Sequence, residues 1–326
     1  MNYLVTGSTG FLGMTLIRIL LDEGFQVRAL FRSPEKAKHL PPEVVRCKGD
    51  ILDPESLEKA MEGCDGVFHA AAFAGVWAED PQDIFRLNVE GTGNVLEAAL
   101  ISGVPRVVMT SSAGVLGSSS DGRPLSENSP DPVSWFSEYE RTKSLAEAKV
   151  KEYVQKGVQG IIVNPSRIFG PGPLNKSNSV TRLIAGYVKG SWRILPGDGQ
   201  AVGNYVFVED VARGHLLAMQ NGEPGERYIL GGENLSYRRF FGLIGQAAGR
   251  KRWLIPLPEG LMKGAAQTAM GIHDLFGIPP FITPALTRKF TLNCPLDISK
   301  ARRELNYEPL SFEKGIKRTI EWLAVS

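Results

Sequence analysis

Asn2-Tyr-Leu-Val-Thr-Gly-Ser-Thr-Gly-Phe-Leu-Gly13 decides how the rest of the chain reads. Tyr3 to Val5 is a short apolar run of the kind that forms a buried strand, and Gly7, Gly10 and Gly13 follow at three-residue spacing. Leu16, Ile17, Ile19, Leu20 and Leu21 then give an apolar face at helical period, ending near Gly24. Strand, glycine turn and helix in this order form the setting of a dinucleotide fingerprint, here spaced GxxGxxG instead of the commoner GxGxxG. Gly7 can make the tight turn, Gly10 can admit a pyrophosphate to the backbone, and Gly13 lets the helix lie close to the strand. The helix N-terminus then offers unpaired N–H groups and the positive end of its dipole to phosphates.

The bulk composition sets wide bounds. With 326 residues, 43% hydrophobic and 22% charged, the chain has the make-up of an ordinary globule of one large or two modest domains. A net charge of +2 gives no reason to expect nucleic acid or an acidic membrane surface as partner. Cys47, Cys64 and Cys294 are scattered and form no CxxC, which suits reduced thiols in the cytoplasm. A strand starting at residue 2 leaves no signal peptide to expect. Leu261 to Ile278 is apolar but interrupted by Lys263, Gln267, His273 and Asp274, so no membrane span is expected there. His39, His69, His215 and His273 show no metal-ligand spacing, and no metal site is expected; His69, ending a buried strand, reads as structural.

Past the first helix, Gln26 to Phe31 reads as a second strand, and the residue at its end bears on the cofactor. NAD-binding folds commonly place an acid about 20 residues past the glycines to hold the ribose 2′-hydroxyl. This chain has Arg32 there, with Ser33, Lys36 and Lys38 behind it. A guanidinium can pair with a 2′-phosphate that a carboxylate would repel, so NADP (NADPH) is expected over NAD. The alternative is a solvated basic loop beside an NAD site. Glu43 to Lys48 reads as a third strand, and Asp53-Pro54-Glu55 as a helix start with an Asp cap and Pro at the first position. Gly66 to His69 runs into Ala70-Ala71-Ala72, small residues that leave either a crevice or tight packing. Pro81 to Ser102 reads as one long helix, Arg106 to Thr110 as a fifth strand and Gly160 to Asn164 as a sixth. The alternation predicts an α/β fold with a doubly wound parallel sheet of Rossmann type.

The fifth strand ends in Thr110-Ser111-Ser112, and a helix expected from near Ser134 carries Tyr139 and Lys143 on one face. A lysine beside a phenol favours the phenolate, so Lys143 is expected to lower the pKa of Tyr139. Tyr139 could then exchange a proton with a carbonyl or alcohol oxygen that Ser112 also binds. Of the eight tyrosines, Tyr139 alone has a lysine four residues on.

TGSTGFLG, TSSAGVLG and YERTK together resemble the extended short-chain dehydrogenase/reductase family, also described as NAD-dependent epimerases/dehydratases. GDILDP at 49–54, HAAA at 69–72, NVEGTGNVLEAA at 88–99, NPSRIFGPG at 164–172 and YVFVEDVARGHLLAM at 205–219 extend the resemblance along nearly the whole chain. It is most similar to dihydroflavonol-4-reductase-like members and, through RYILGGENLSY at 227–237 and GVW at 75–77, to hopanoid-associated sugar-epimerase-like ones. The resemblance implies Tyr139 as general acid/base, Lys143 on the nicotinamide ribose and Ser112 polarising the reacting oxygen, with Ser111 a weaker stand-in. It places Gly7, Thr9, Gly10, Phe11, Leu12 and Gly13 at the pyrophosphate, and Arg32 with Lys36 at the 2′-phosphate. Asp50 and Ile51 would border the adenine, Ala70, Ala71 and Ala72 the ribose side, and Pro165, Ser166 and Ile168 the nicotinamide.

Two departures bear on the substrate. Where sugar-nucleotide epimerases commonly carry an arginine that grips the diphosphate, this chain has Gly203-Asn204-Tyr205, though Arg182 or Arg193 could substitute. Where the tyrosine of VYG is usual it has Leu116, which would make the substrate wall less polar. Both favour a small ketone or aldehyde reduced with NADPH; an NAD(P)-dependent sugar-nucleotide epimerase or dehydratase is the alternative. Residues 1–164 with about 202–230 are expected to form the cofactor domain, and 165–201 with 231–326 a smaller, mostly helical substrate lobe. Asn204 to Val208 is expected to rejoin the main sheet. Trp77, Phe136, Phe169 and Trp192 are candidates for the pocket lining, with core packing the alternative. The 258–284 segment could cap the pocket, meet a second subunit or be a core helix. A homodimer through Pro81–Ser102 and Ser134–Gln155 is a family expectation.

Overall fold

A computed structural model describes residues 1–325 apart from Val76 and Phe281. The first half alternates β1 (Asn2–Thr6), α1 (Phe11–Asp22), β2 (Gln26–Phe31), α2 (Pro34–Ala37), β3 (Val45–Lys48), α3 (Pro54–Met61), β4 (Gly66–His69), α4 (Pro81–Phe85), α5 (Gly91–Ile101), β5 (Arg106–Thr110), α6 (Glu138–Val154) and β6 (Gln159–Pro165). Then come β7 (Arg167–Phe169), α7 (Ser179–Lys189), β8 (Ile194–Pro196), β9 (Val202–Phe207), α8 (Val208–Asn221), β10 (Arg227–Leu230) and β11 (Glu233–Ser236). The chain closes with α9 (Tyr237–Ala247), β12 (Ile255–Leu257), α10 (Glu259–Phe276), α11 (Pro284–Thr291), α12 (Ser299–Leu305) and α13 (Phe312–Val325).

Seven strands form a parallel sheet in the order β10-β6-β5-β4-β1-β2-β3. β1 pairs with β2 through Tyr3–Val27 and with β4 through Val5–Phe68. The winding reverses between β1 and β4, and at such a switch point the loops leaving the carboxyl ends of the strands part to form a crevice. One apolar cluster, with Leu16, Ile17 and Leu20 of α1 and Val211 and Ala212 of α8, covers one face of the sheet. A second, with Leu57, Val95, Leu96 and Val150, covers the other.

Three boundaries differ from the sequence expectation. β9 does not rejoin the main sheet: it pairs with β7 and, antiparallel, with β11 in a separate three-stranded sheet. Tyr205 and Phe207 there pack with Phe169, Phe240 and Phe312 in a third, aromatic cluster. The long helix from Pro81 is interrupted by a π-type turn over Arg86–Glu90. That widening turns Asn88 inward, where it accepts from the Phe73 N–H at 2.8 Å and donates to the Thr142 hydroxyl at 3.0 Å. Finally, the helix of Tyr139 starts at Glu138 and not near Ser134, because Phe136 is buried and its carbonyl is taken by Arg288 at 2.8 Å. Among the described residues no helix is long and apolar enough to cross a membrane, and no group of three or more His, Cys, Asp or Glu could hold a metal ion.

Candidate active site

The crevice starts at the β1–α1 turn. Gly7 sits at φ +67°, and a Cβ there would stand 2.6 Å from the Ala71 nitrogen, so only glycine fits where the turn begins beside the end of β4. A Cβ on Gly13 would lie 2.2 Å from the Gly7 carbonyl oxygen, which is how α1 comes to rest on the turn. Gly10 precedes α1 without a side-chain cap, and the first turn holds no acid, leaving its N–H groups and dipole available to an anion. Phe11 is buried, with Gly172 pressed on its ring, and Thr9 and Leu12 are partly exposed at the same turn.

Arg32 and Asp50 follow the ends of β2 and β3 and form an exposed ion pair at 3.5 Å. Lys36 is exposed on α2, whose Ser33 caps it by accepting from the Lys36 N–H. Ile51 turns its side chain into the second cluster against Gly91. Ala70, Ala71 and Ala72 are all partly exposed, as a crevice wall is. Beneath them His69 is buried between Thr6 (2.8 Å) and Thr92 (3.1 Å). Burial first, and the Lys143 charge second, hold its pKa near 3, so it is a neutral strut.

Across the crevice stand Ser112, Tyr139 and Lys143. Ser111 is buried and donates to Glu147, whereas Ser112 is partly exposed and accepts from the Gly114 N–H at 3.1 Å. That leaves Ser112 as the serine facing Tyr139. The phenol is not lowered as expected. Burial first and the Glu140 charge second push it above the ordinary tyrosine range, while a bond from Ser112 acts in the opposite direction. Lys143, 1% exposed, is itself lowered to about 8 by burial, against the pull of Glu147. At both groups desolvation outweighs the neighbouring charge. Among the described residues no ion pair or hydrogen bond engages the Lys143 ammonium, so its N–H groups are available to ribose hydroxyls. The Ser166 hydroxyl is another buried orphan at the end of this wall, next to buried Pro165 and partly buried Ile168. An uncapped helix, an unpartnered ammonium and an unpartnered hydroxyl along one crevice fit an extended polar cofactor of the dinucleotide kind.

On the far side of Tyr139 the structure brings in Glu140, Lys289 and Arg167, none of them a candidate from the sequence. Glu140 is fully buried, accepts from Ser137 and is ion-paired with Lys289 of α11. The Lys289 ammonium stands 5.6 Å from the centre of the Tyr139 ring. Arg167 occupies the space a side chain at Gly203 would need: a Cβ there would be 2.3 Å from its Nη1. The guanidinium donates to the hydroxyls of Tyr205 (3.1 Å) and Tyr237 (2.8 Å) and to the Lys289 carbonyl (3.0 Å). Arg193 is exposed and donates to the Gly190 carbonyl, and Arg182 is exposed on α7. Leu116, expected on a substrate wall, is buried in the first cluster and contributes no surface.

Of the aromatic candidates, Phe169 lies in the third cluster and Phe136 is buried. Trp192 is partly buried against the third cluster and bonds the Ile194 carbonyl. Trp77 is partly exposed and meets His273 of α10 edge-on at 5.0 Å. Val76 of the GVW stretch and Phe281 of the 258–284 segment lie outside the described residues. In that segment α10 buries only a narrow face, Met262, Ala266 and Ala269, while Leu261, Leu275 and Phe276 are exposed.

Residues 3–231 match the NAD-dependent epimerase/dehydratase family, and the chain belongs to it. It is an NAD(P)-dependent oxidoreductase of the extended short-chain dehydrogenase/reductase type. It is 33% identical to a putative dihydroflavonol 4-reductase of Synechocystis, over 98% of this chain and 94% of the relative. It is 34% identical to sterol demethylase protein B of Methylococcus capsulatus, over 99% and 98%. Among solved structures, the dTDP-glucose 4,6-dehydratase of Streptomyces venezuelae with NAD bound superposes with a TM-score of 0.80 at 26% identity, covering 100% of this chain and 98% of that one.

Proposed function

We propose that the chain is an NADPH-dependent reductase of a small, uncharged ketone or aldehyde. The observation that carries this reading is the filling of the Gly203 space by Arg167. At the position where a diphosphate-gripping arginine would project, the Arg167 guanidinium donates through Nη1 to Tyr205 and Tyr237 and through Nη2 to the Lys289 carbonyl. A substrate with two phosphates would have to compete with those bonds for Nη1, whereas an uncharged ring compound would not. The names of two relatives, one a dihydroflavonol reductase and one a sterol demethylase, point to ring compounds of that kind. Arg32, standing where an acid would favour NAD, supports NADPH.

In this reading Gly7, Gly10 and the α1 N-terminus hold the pyrophosphate, Arg32 and Lys36 the 2′-phosphate, and Lys143 the nicotinamide ribose. When bound, the cofactor supplies the hydride. Ser112 and Tyr139 bind the substrate oxygen, Ser112 orients it, and the Tyr139 hydroxyl delivers its proton as negative charge grows on that oxygen. Homodimer formation through the outer faces of α5 and α6 belongs to the same proposal, and light scattering checks it.

The test is NADPH oxidation with a panel running from benzaldehyde to dihydroquercetin, beside thermal protection by UDP- and dTDP-sugars. Turnover with a carbonyl compound is expected, with Tyr139→Phe inactive yet still binding NADPH. Protection by a sugar nucleotide without net oxidation of NADPH, or an active Tyr139→Phe variant, would overturn the proposal.

A further inference from the structure

We propose that Lys289 and Glu140 are a positioning pair for Tyr139, through which α11 of the C-terminal half controls the acidity of the phenol. This rests on the reading of Tyr139 as proton donor. Glu140 follows Tyr139 in the first turn of α6, and its side chain is fully buried, its Cγ packed 2.9 Å from where a Cβ on Gly114 would stand. A carboxylate so placed disfavours a second negative charge next to it, and Glu140 does oppose ionisation of Tyr139. A buried carboxylate is tolerated only when paired. Its partner is Lys289, whose ammonium pairs with Glu140 and also faces the Tyr139 ring at 5.6 Å. One cation thus stands against both the carboxylate that hinders the phenolate and the phenol ring itself.

The segment that brings Lys289 is fastened on both sides. Arg288 donates to the Phe136 carbonyl just before α6, and Arg167 donates to the Lys289 carbonyl. Thr283 caps α11 by accepting from the Leu286 N–H at 3.2 Å. These contacts fix the position of the Lys289 stem, which is only 28% exposed. The charged and titratable groups around Tyr139 are then Glu140 and Lys143 on α6 and Lys289 on α11, with Ser112 the polar neighbour from the loop after β5. Behind them, His69 and Glu147 face Lys143, and Arg167 and Cys294 adjoin Lys289.

The opposed charges give the test its signs. With NADP⁺ bound, tyrosinate absorbance is titrated in each protein and in its Tyr139→Phe counterpart, so that the difference isolates one phenol. Lys289→Met leaves Glu140 unopposed and moves the Tyr139 transition to higher pH by about one pH unit or more. Glu140→Gln leaves Lys289 unopposed and moves it to lower pH. The double variant returns it close to wild type, and Lys289→Arg keeps it there. With benzaldehyde and NADPH, kcat is expected to fall tenfold or more in Lys289→Met and to recover in the double variant, with NADPH affinity unchanged throughout. Transitions that do not move, or that move the same way in both single variants, overturn the pairing and leave the proton-donor role of Tyr139 standing. An active Tyr139→Phe enzyme removes the proton-donor role itself.

Discussion

Arg32→Ala tests the proposed dependence of cofactor choice on Arg32. In the protein without cofactor, Arg32 contacts Asp50 at 3.5 Å, and the two side chains are 64% and 35% exposed. An exposed pair of this kind is worth under about 1 kcal/mol, so removing it should leave the melting temperature nearly unchanged. A 2′-phosphate offers the guanidinium charge-assisted bonds worth about 1.5–3 kcal/mol together. Their loss weakens NADPH about 10- to 150-fold. The upper part of that range is expected, because the substitution also leaves the Asp50 carboxylate unopposed near the phosphate. NADH makes no such bond and should bind as before, so selectivity falls by the whole factor. Quenching of tryptophan fluorescence with cofactor-stripped protein measures both affinities. An unchanged NADPH affinity, or equal weakening of NADPH and NADH, would refute the assignment of Arg32 to the 2′-phosphate.

Other outcomes follow from the same geometry. Lys143 titrates near 8 in the free protein because burial depresses it. Hydrogen bonds donated by the ammonium to ribose hydroxyl oxygens would raise it in the complex, so NADPH affinity should be flat below pH 8 and fall, by at most tenfold per pH unit, above it; quenching titrations from pH 7 to 10 check this. The same depression means that folding stability gains from Lys143 as pH rises from 8 toward the ordinary lysine range, since the unfolded chain binds the extra proton there. Gly13→Ala drives a Cβ to 2.2 Å from the Gly7 carbonyl oxygen, backbone against backbone, and should cost about 3 kcal/mol by denaturant unfolding along with most NADPH affinity. His69→Ala removes the struts to Thr6 and Thr92 and opens a cavity under the Ala70–Ala72 wall; a loss of about 3 kcal/mol is expected by the same measurement.

The cofactor half of the fold was legible because its signals are local. The glycine turn, the Asp53 cap accepting from Ser56 ahead of Pro54, and the strand–helix alternation each lie within a few residues. The sheet that β9 joins is not legible because Gly203-Asn204-Tyr205-Val206-Phe207 reads as a strand for any sheet; its partners, Arg167–Phe169 and Glu233–Ser236, are distant in sequence. The start of α6 shifted for a tertiary reason, the capture of the Phe136 carbonyl by Arg288. Tyr139 and Lys143 could be chosen because four residues place them on one helix face. Glu140 gave a weaker signal, an acid in a first helical turn, and Lys289 gave none, since only folding brings α11 against α6. The acidity of Tyr139 is not legible because the sequence shows the neighbouring charge and not the desolvation that outweighs it.

The most direct test follows the reducing equivalent. The enzyme is incubated with NADPH deuterated at C4 and an aryl ketone, and the released alcohol is examined by mass spectrometry. Deuterium retained at the carbinol carbon, at one equivalent per NADPH consumed and absent with Tyr139→Phe, is the predicted result. Interconversion of UDP-sugars with no net loss of NADPH, and no labelled alcohol from any carbonyl compound tried, would contradict it.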